Sequence, residues 1–161
     1  KPANVGNIIR PCMAFDLKLT IIGPLTFTLD DHALKRAEMD YAIGFEIERF
    51  DTFEEFLKAH PNEEGYYVTR YSNKTYSDYD LKDVSKNYFF MFGRESTGIP
   101  KEILVEHFSH TMRIPMAIDA RSLNLSNSVA IVLSEALRQQ NFYSLATEET
   151  IKGADFLSRF K

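Results

Sequence analysis

Three stretches of the chain bring together residue types and spacings that could do chemistry. The first is Phe92-Gly93-Arg94-Glu95-Ser96-Thr97-Gly98-Ile99-Pro100, with two glycines five positions apart at the end of an apolar run. Glycines in such a place let backbone N–H groups approach an anion closely, as phosphate loops do. The P-loop pattern needs Lys and then Ser or Thr after its second glycine, and Ile99-Pro100 stands there instead. The dinucleotide fingerprint fails too, because Glu95 occupies the place of its second glycine. Spacing alone leaves two readings open: a strand-to-helix turn that needs glycine, or a ligand loop at the carboxyl end of a parallel strand.

The second stretch runs from Arg113-Ile114-Pro115-Met116 to Arg121-Ser122-Leu123-Asn124-Leu125-Ser126-Asn127. A strand end and a proline are followed by small hydrogen-bonding residues ahead of a long apolar-periodic segment. Those residues serve either as helix caps or as a loop holding a polar ligand. The third stretch is Asn4-Val5-Gly6-Asn7-Ile8-Ile9-Arg10, where an isolated arginine precedes Pro11 and ordinarily reads as a surface residue. His107 and His110 could share a helix face with Glu106, but two histidines without a cysteine partner make a poor metal site. A solvated helix end is expected there. No Gly-x-Ser-x-Gly elbow supports a serine hydrolase, and the sequons at Asn73 and Asn124 carry little weight without a secretory signal.

The elements that must position these residues alternate between strand and helix. Lys18 to Ile22 reads as a buried strand closed by Gly23-Pro24. Asp30-Asp31 caps a short helix with Ala33, Leu34 and Ala37 at helical spacing, and Ile43 to Ile47 reads as a second strand. Thr52 and Glu55 make a capping box ahead of Phe53, Phe56 and Leu57. Tyr66 to Thr69 is a strand, and Asn73 to Lys86 is a loop with one helical turn at most. Tyr88 to Phe92 is an apolar strand stopped by Gly93. Pro100 suits the first turn of a helix carrying Ile103 and Leu104, and Thr111 to Pro115 is a last strand. Ser126 opens the strongest helix, with Val129, Val132, Leu133, Ala136 and Leu137 on one stripe and Ile131 off it. This order argues for an α/β domain with a mostly parallel sheet flanked by helices.

Composition bounds the rest. The chain has 161 residues, 44% of them hydrophobic and 26% charged. That suits one domain with a real core and excludes wholesale disorder. No apolar run approaches the roughly 18–20 residues a membrane helix needs, and Cys12 alone can form neither an internal disulfide nor a cysteine-rich zinc site. A soluble, cytoplasmic protein without membrane or metal partners is expected. Nineteen Lys plus Arg stand against 23 Asp plus Glu, a net charge of −4. This excludes coating of nucleic acid by bulk positive charge, but a local basic patch stays open. Lys18, Lys35, Arg36, Arg70, Lys74, Arg94, Arg121 and Arg138 are its candidates.

Taken together, the three stretches resemble the ordered motifs of the SPOUT superfamily of RNA methyltransferases, nearest its small TrmL branch. Asn4 to Arg10 matches motif one, Phe92 to Pro100 motif two, and Ile114 to Asn127 motif three. Ile22-Gly23-Pro24, Asp30 to Ala37 and Asp40-Tyr41 resemble the linking segments, so the likeness covers residues 1–142. It implies a SPOUT α/β-knot: one methyltransferase domain over residues 1–161, its C-terminal part tied into a deep trefoil knot over roughly 66–142. It also implies methyl transfer from S-adenosyl-L-methionine to the ribose 2′-hydroxyl of the wobble nucleotide of tRNA, by a homodimer that holds the anticodon stem-loop. A ribosomal RNA or another tRNA position is the rival substrate, and a non-catalytic RNA-binding scaffold the rival class.

By position, Val68, Gly93, Ile114 and Ser122 match the family's cofactor contacts, and Met116 and Leu123 lie near enough to line the adenine pocket. The resemblance assigns Arg10 to the 2′-hydroxyl, with Asn4 and Glu95 as supports. Arginine is an awkward base, so orientation and charge stabilisation are its expected part. Three features depart from the pattern. Family members usually have a short apolar strand before motif one, so residues upstream of Lys1 are expected. Pro11 should make the first helix start late or bend. Ser134 stands where relatives often carry a tyrosine that contacts RNA.

Overall fold

The computed structural model describes residues 2–24, 32, 35 and 40–161, with the side chains of residues 2–4 outside that description. The helix expected around Ala33, Leu34 and Ala37 lies outside the described residues.

Helix α1, Pro2–Ala14, carries all of motif one and contains Pro11. It does not start late. Pro11 lacks an N–H, so the carbonyl of Asn7 loses its helical partner, a loss confined to the last turn. Phe15 and Leu17 then donate back to the carbonyls of Pro11 and Cys12 at 3.0 and 2.8 Å and finish the helix. Its inward face buries Ile9 completely against Ala42, with Val5, Leu19, Tyr41 and Ile47 around it.

Strands β1 (Leu19–Ile22) and β2 (Ile47–Phe50) pair in parallel, Leu19 opposite Ile47 and Ile22 opposite Phe50. The expected strand over residues 43–47 is therefore displaced. A single 3-10 turn at Asp40–Ala42 leads into Gly44 at φ +85°, and Ile43 and Phe45 donate back to the carbonyls of Asp40 and Ala42. These apolar residues reach the core from a turn, and extended backbone begins only at Ile47. Helix α2, Phe53–Ala59, has the expected cap: Glu55 N–H donates to Thr52 Oγ1 at 3.2 Å. The Glu55 carboxylate returns to Asp51 N–H rather than to that of Thr52.

A second parallel sheet holds β3 (Glu64–Val68) between β4 (Tyr88–Met91) and β5 (Thr111–Met112). Tyr66 faces a core of Leu81, Met112, Val132 and Ala136. Its neighbour Tyr67 faces the other way, onto Ile99 and Leu104 with Phe53, Phe89 and Met91. Burial of both faces is what a central parallel strand requires. The expected parallel sheet is thus present in two pieces among the described residues. Between them lies a cleft of about 1180 Å³, lined by Thr20 and Ile22 of β1 and by every residue of β4.

Helix α3, Lys101–Glu106, begins one residue after Pro100, which sits at the cap position. The expected solvated helix end is present, with Glu106, Phe108 and Ser109 exposed, but His107 and His110 are half-buried on strand tyrosines. His107 stacks on Tyr67 with centroids 4.6 Å apart. His110 stacks on Tyr66 at 5.1 Å and places Nδ1 2.9 Å from the Gly65 carbonyl. The two strand tyrosines supply flat apolar faces that imidazole rings cover. No group of three or more metal-ligating side chains occurs among the described residues.

The strand expected over 111–115 shrinks to Thr111-Met112, continued only by an isolated bridge between Arg113 and Thr75. Pro115 has no N–H to extend the ladder. The 73–86 segment holds no helical turn; Tyr76 N–H instead donates to the Arg113 carbonyl at 3.0 Å. Helix α4, Leu125–Gln139, buries Val129, Val132, Ala136 and Leu137 as its stripe predicts, with Leu133 and Ile131 half-buried, and packs against α1. Its end grips the 79–81 loop. The Gln139 side-chain amide donates to the Tyr79 carbonyl and accepts from Leu81 N–H, at 3.0 and 2.7 Å. Gln140 Nε2 donates to the Leu81 carbonyl at 2.9 Å.

Candidate active site

At the carboxyl ends of β3, β4 and β5, three loops enclose a cavity of about 510 Å³. The loop after β4 folds back on itself: Gly98 N–H donates to the Arg94 carbonyl at 2.8 Å. A Cβ on Gly93 would collide with the backbone of Gly98 and Ile99, so only glycine permits that fold. The loop after β5 reaches the N-terminus of α4, where Asn124 Oδ1 accepts from Ser126 N–H at 2.9 Å and Asn127 N–H at 3.4 Å. Asn124 is thus the helix cap, and the helix opens at Leu125, one residue before Ser126.

The loop after β3 is tied down from below. Thr69 N–H donates to the Met112 carbonyl at 2.9 Å. Ser72, 4% exposed, accepts from the buried Thr111 hydroxyl at 3.0 Å.

The structure brings Val68, Gly93, Ile114, Met116, Ser122 and Leu123 to this one cavity, together with Glu95. Arg10 is not among the lining residues; it is exposed on α1, its guanidinium 4.0 Å from the centroid of the Tyr41 ring. Asn4 lies on α1, and its side chain is outside the described residues.

Charge at the cavity is lopsided. Arg70, Arg94, Lys101 and Arg121 line it, and Glu95 is its one carboxylate among the described residues. None of the four cations makes an ion pair with a described residue. Three of them belong to the basic patch expected from the sequence. Others of that patch lie elsewhere: Arg138 pairs with Glu135 at 2.7 Å, Lys18 lines the cleft between the sheets, and Lys74 lies over Tyr79. Sequence reasoning missed Lys101 and Tyr71. Their signal was modest: a lysine just after the motif-two proline, and an aromatic residue beside an arginine in a polar loop.

Residues 1–134 match the model of the SpoU rRNA Methylase family. The chain belongs to the SpoU methylase family. A curated relative from Geobacillus stearothermophilus, named a putative tRNA (cytidine(34)-2′-O)-methyltransferase, is 46% identical over 90% of this chain and 92% of its own. A putative RNA methyltransferase structure from Bacillus anthracis shares 44% identity with a TM-score of 0.87, covering 92% of this chain and 94% of the other. A structure described as giving insights into 2′-OH methylation of C/U34 on tRNA shares 33% identity with a TM-score of 0.76, over 88% of this chain and 90% of the other. An rRNA methyltransferase from Sinorhizobium meliloti, solved with AdoMet bound, is 29% identical with a TM-score of 0.70. Its match covers 86% of this chain and 52% of that one. The SpoU fold accounts for the parallel strands flanked by helices.

Proposed function

We propose that this chain transfers the methyl group of S-adenosyl-L-methionine to the ribose 2′-hydroxyl of nucleotide 34 of tRNA, a cytidine or a modified uridine. The observation that carries the reading is the convergence of motifs two and three on one cavity with a cationic rim. The activity named for the relative at 46% identity supports the choice of tRNA and of nucleotide 34.

The residues present fit the cofactor. The cavity volume falls within the roughly 300–1,000 Å³ of small-molecule sites. Val68, Ile114, Met116 and Leu123 offer apolar surface for an adenine ring, and Ser122 with the backbone around Gly93 and Gly98 offers polar groups. When bound, S-adenosyl-L-methionine supplies an electrophilic sulfonium methyl for in-line attack by the 2′-oxygen, and this needs no metal.

Arg10 is assigned to that oxygen. Guanidinium is a donor with no acceptor site, so it orients the hydroxyl and stabilises negative charge on the oxygen while the proton passes to solvent water, the sulfur–methyl bond breaks and S-adenosylhomocysteine leaves. Glu95, in the cavity wall, and Asn4 are its supports. Because Arg10 sits on Tyr41 outside the cavity of its own chain, the reading has Arg10 of a second copy complete each site, in a homodimer. The chain then acts as one cytoplasmic domain, with no helix among the described residues long and apolar enough to cross a membrane. The grip of Gln139 and Gln140 on residues 79–81 supports a knotted C-terminal part.

The test is methyl transfer to unmodified and modified tRNA, with mass spectrometry locating the added group. A product at the ribose of nucleotide 34 is expected. A ribosomal RNA product would overturn the substrate, and failure to bind S-adenosylhomocysteine in calorimetry would favour a scaffold.

A further inference from the structure

The chemistry proposed above uses the cavity and the charge of its rim, and leaves one rim residue, Tyr71, without a part. Tyr71 lines the rim with its side chain in solvent; the residue is 57% exposed. The Arg70 guanidinium lies 5.3 Å from the ring centroid and the Lys101 ammonium 4.8 Å from it. Neither cation has an acidic partner among the described residues. The loop that carries the ring is held firmly. Tyr71 N–H donates to Thr69 Oγ1 at 3.2 Å, Lys74 N–H donates to Ser72 Oγ at 3.1 Å, and Ser72 itself is buried on Thr111. An exposed aromatic ring on a fixed loop, with two unpaired cations over it, gains nothing for the fold from that exposure.

Single-stranded RNA offers what this arrangement lacks. A splayed nucleobase has a flat π-face to stack on an aromatic side chain, and its phosphates pair with nearby cations. We propose that Tyr71 is a stacking platform for a nucleobase next to the target nucleotide, with Arg70 and Lys101 moving from the ring to the adjoining phosphates. The proposal rests on the reading of the site as an RNA methyltransferase. It makes Tyr71 a positioning residue for the RNA, with no part in the transfer of the methyl group.

The test compares Tyr71→Ala and Tyr71→Phe in the full protein on tRNA. Stacking on one base is worth about tenfold in affinity, so Tyr71→Ala should raise KM for tRNA about tenfold with kcat and S-adenosylhomocysteine affinity near wild type. Tyr71→Phe keeps the ring and should restore KM. With a tRNA made abasic at the neighbour that stacks, wild type and Tyr71→Ala should become equal. Unchanged KM in Tyr71→Ala overturns the proposal, and so does failure of phenylalanine to rescue. A parallel fall in S-adenosylhomocysteine affinity or a change of oligomeric state overturns it as well, by assigning Tyr71 to the cofactor wall or a protein interface. Absence of methyl transfer by the wild-type protein instead sinks the underlying reading, so the two failures are distinguishable.

Discussion

The guanidinium of Arg10 rests 4.0 Å from the centroid of the Tyr41 ring, and the Tyr41 hydroxyl donates to the Gly6 carbonyl on the same helix at 3.0 Å. The ring is therefore pinned across α1 and presents a face to the side chain assigned to the ribose hydroxyl. Arg10→Ala should abolish methyl transfer, at least a hundredfold, and leave S-adenosylhomocysteine affinity nearly intact. Tyr41→Leu removes a cation–π contact worth about 0.5–1 kcal/mol at exposed sites, so single-turnover rates should fall only a few-fold. Equal loss of rate and cofactor affinity in Arg10→Ala would refute its assigned role.

Gly93→Ala should be far more damaging to binding than its size suggests. The added methyl meets the Gly98 and Ile99 backbone, which cannot move like a side chain. Forcing the loop open costs about 1–3 kcal/mol. Calorimetry should show S-adenosylhomocysteine affinity reduced at least tenfold, with a lower melting temperature. A variant that binds normally would show that the loop does not shape the cofactor site.

How much of this was legible beforehand differs from residue to residue. The six positions expected to hold the cofactor share one cavity, and five of them, Gly93, Ile114, Met116, Ser122 and Leu123, come from motifs two and three, which keep their order in the chain. The stripe of α4 was equally plain, since burial follows its helical period. Ile43 and Phe45 misled because an apolar, β-branched run looks the same whether it reaches the core from a strand or from a turn. The ring stacks of His107 and His110 escaped notice for a different reason. Their partners, Tyr67 and Tyr66, lie on a distant strand, and no local pattern announces a long-range ring stack. Tyr71 and Lys101 come together only when β3 and the loop before α3 share a cavity.

The cationic rim predicts a strong salt dependence despite the net charge of −4. If all four cations meet phosphates, affinity for tRNA should drop on the order of a hundredfold between about 50 and 200 mM salt. Arg121→Ala should reduce the logarithmic slope by roughly 1. Fluorescence anisotropy of labelled tRNA gives both numbers. A flat salt response would remove the rim from the RNA interface.

Alkaline pH should loosen the fold through groups buried in neutral form. Burial pushes the Cys12 thiol up to about 11 from an ordinary value of 9.0. Burial and then Glu106 push Tyr67 up to about 12 from 10.0. The unfolded chain releases these protons first, so the contribution of Cys12 is complete below pH 9.0 and lost as pH rises toward about 11. The loss is on the order of 2 kcal/mol. Denaturant unfolding across pH 8–11 should show this limb in the wild type and a shallower one in Cys12→Ala. A thiol reagent should also react slowly with the native protein at neutral pH, since Cys12 is 3% exposed.

The placement of β3 has a consequence for synthesis. It is the central strand of its sheet, yet both of its neighbours, β4 and β5, come later in the chain. A nascent chain leaving the ribosome therefore carries Tyr66 and Tyr67 on a strand with two open edges until Met91 has emerged, and with one open edge until Met112 has. Even then, Gln139 must arrive before the 79–81 loop is gripped. Folding of this part is thus deferred until the segment through Gln139 has emerged, and a product stalled before β5 would present one open edge of an aromatic strand to other chains.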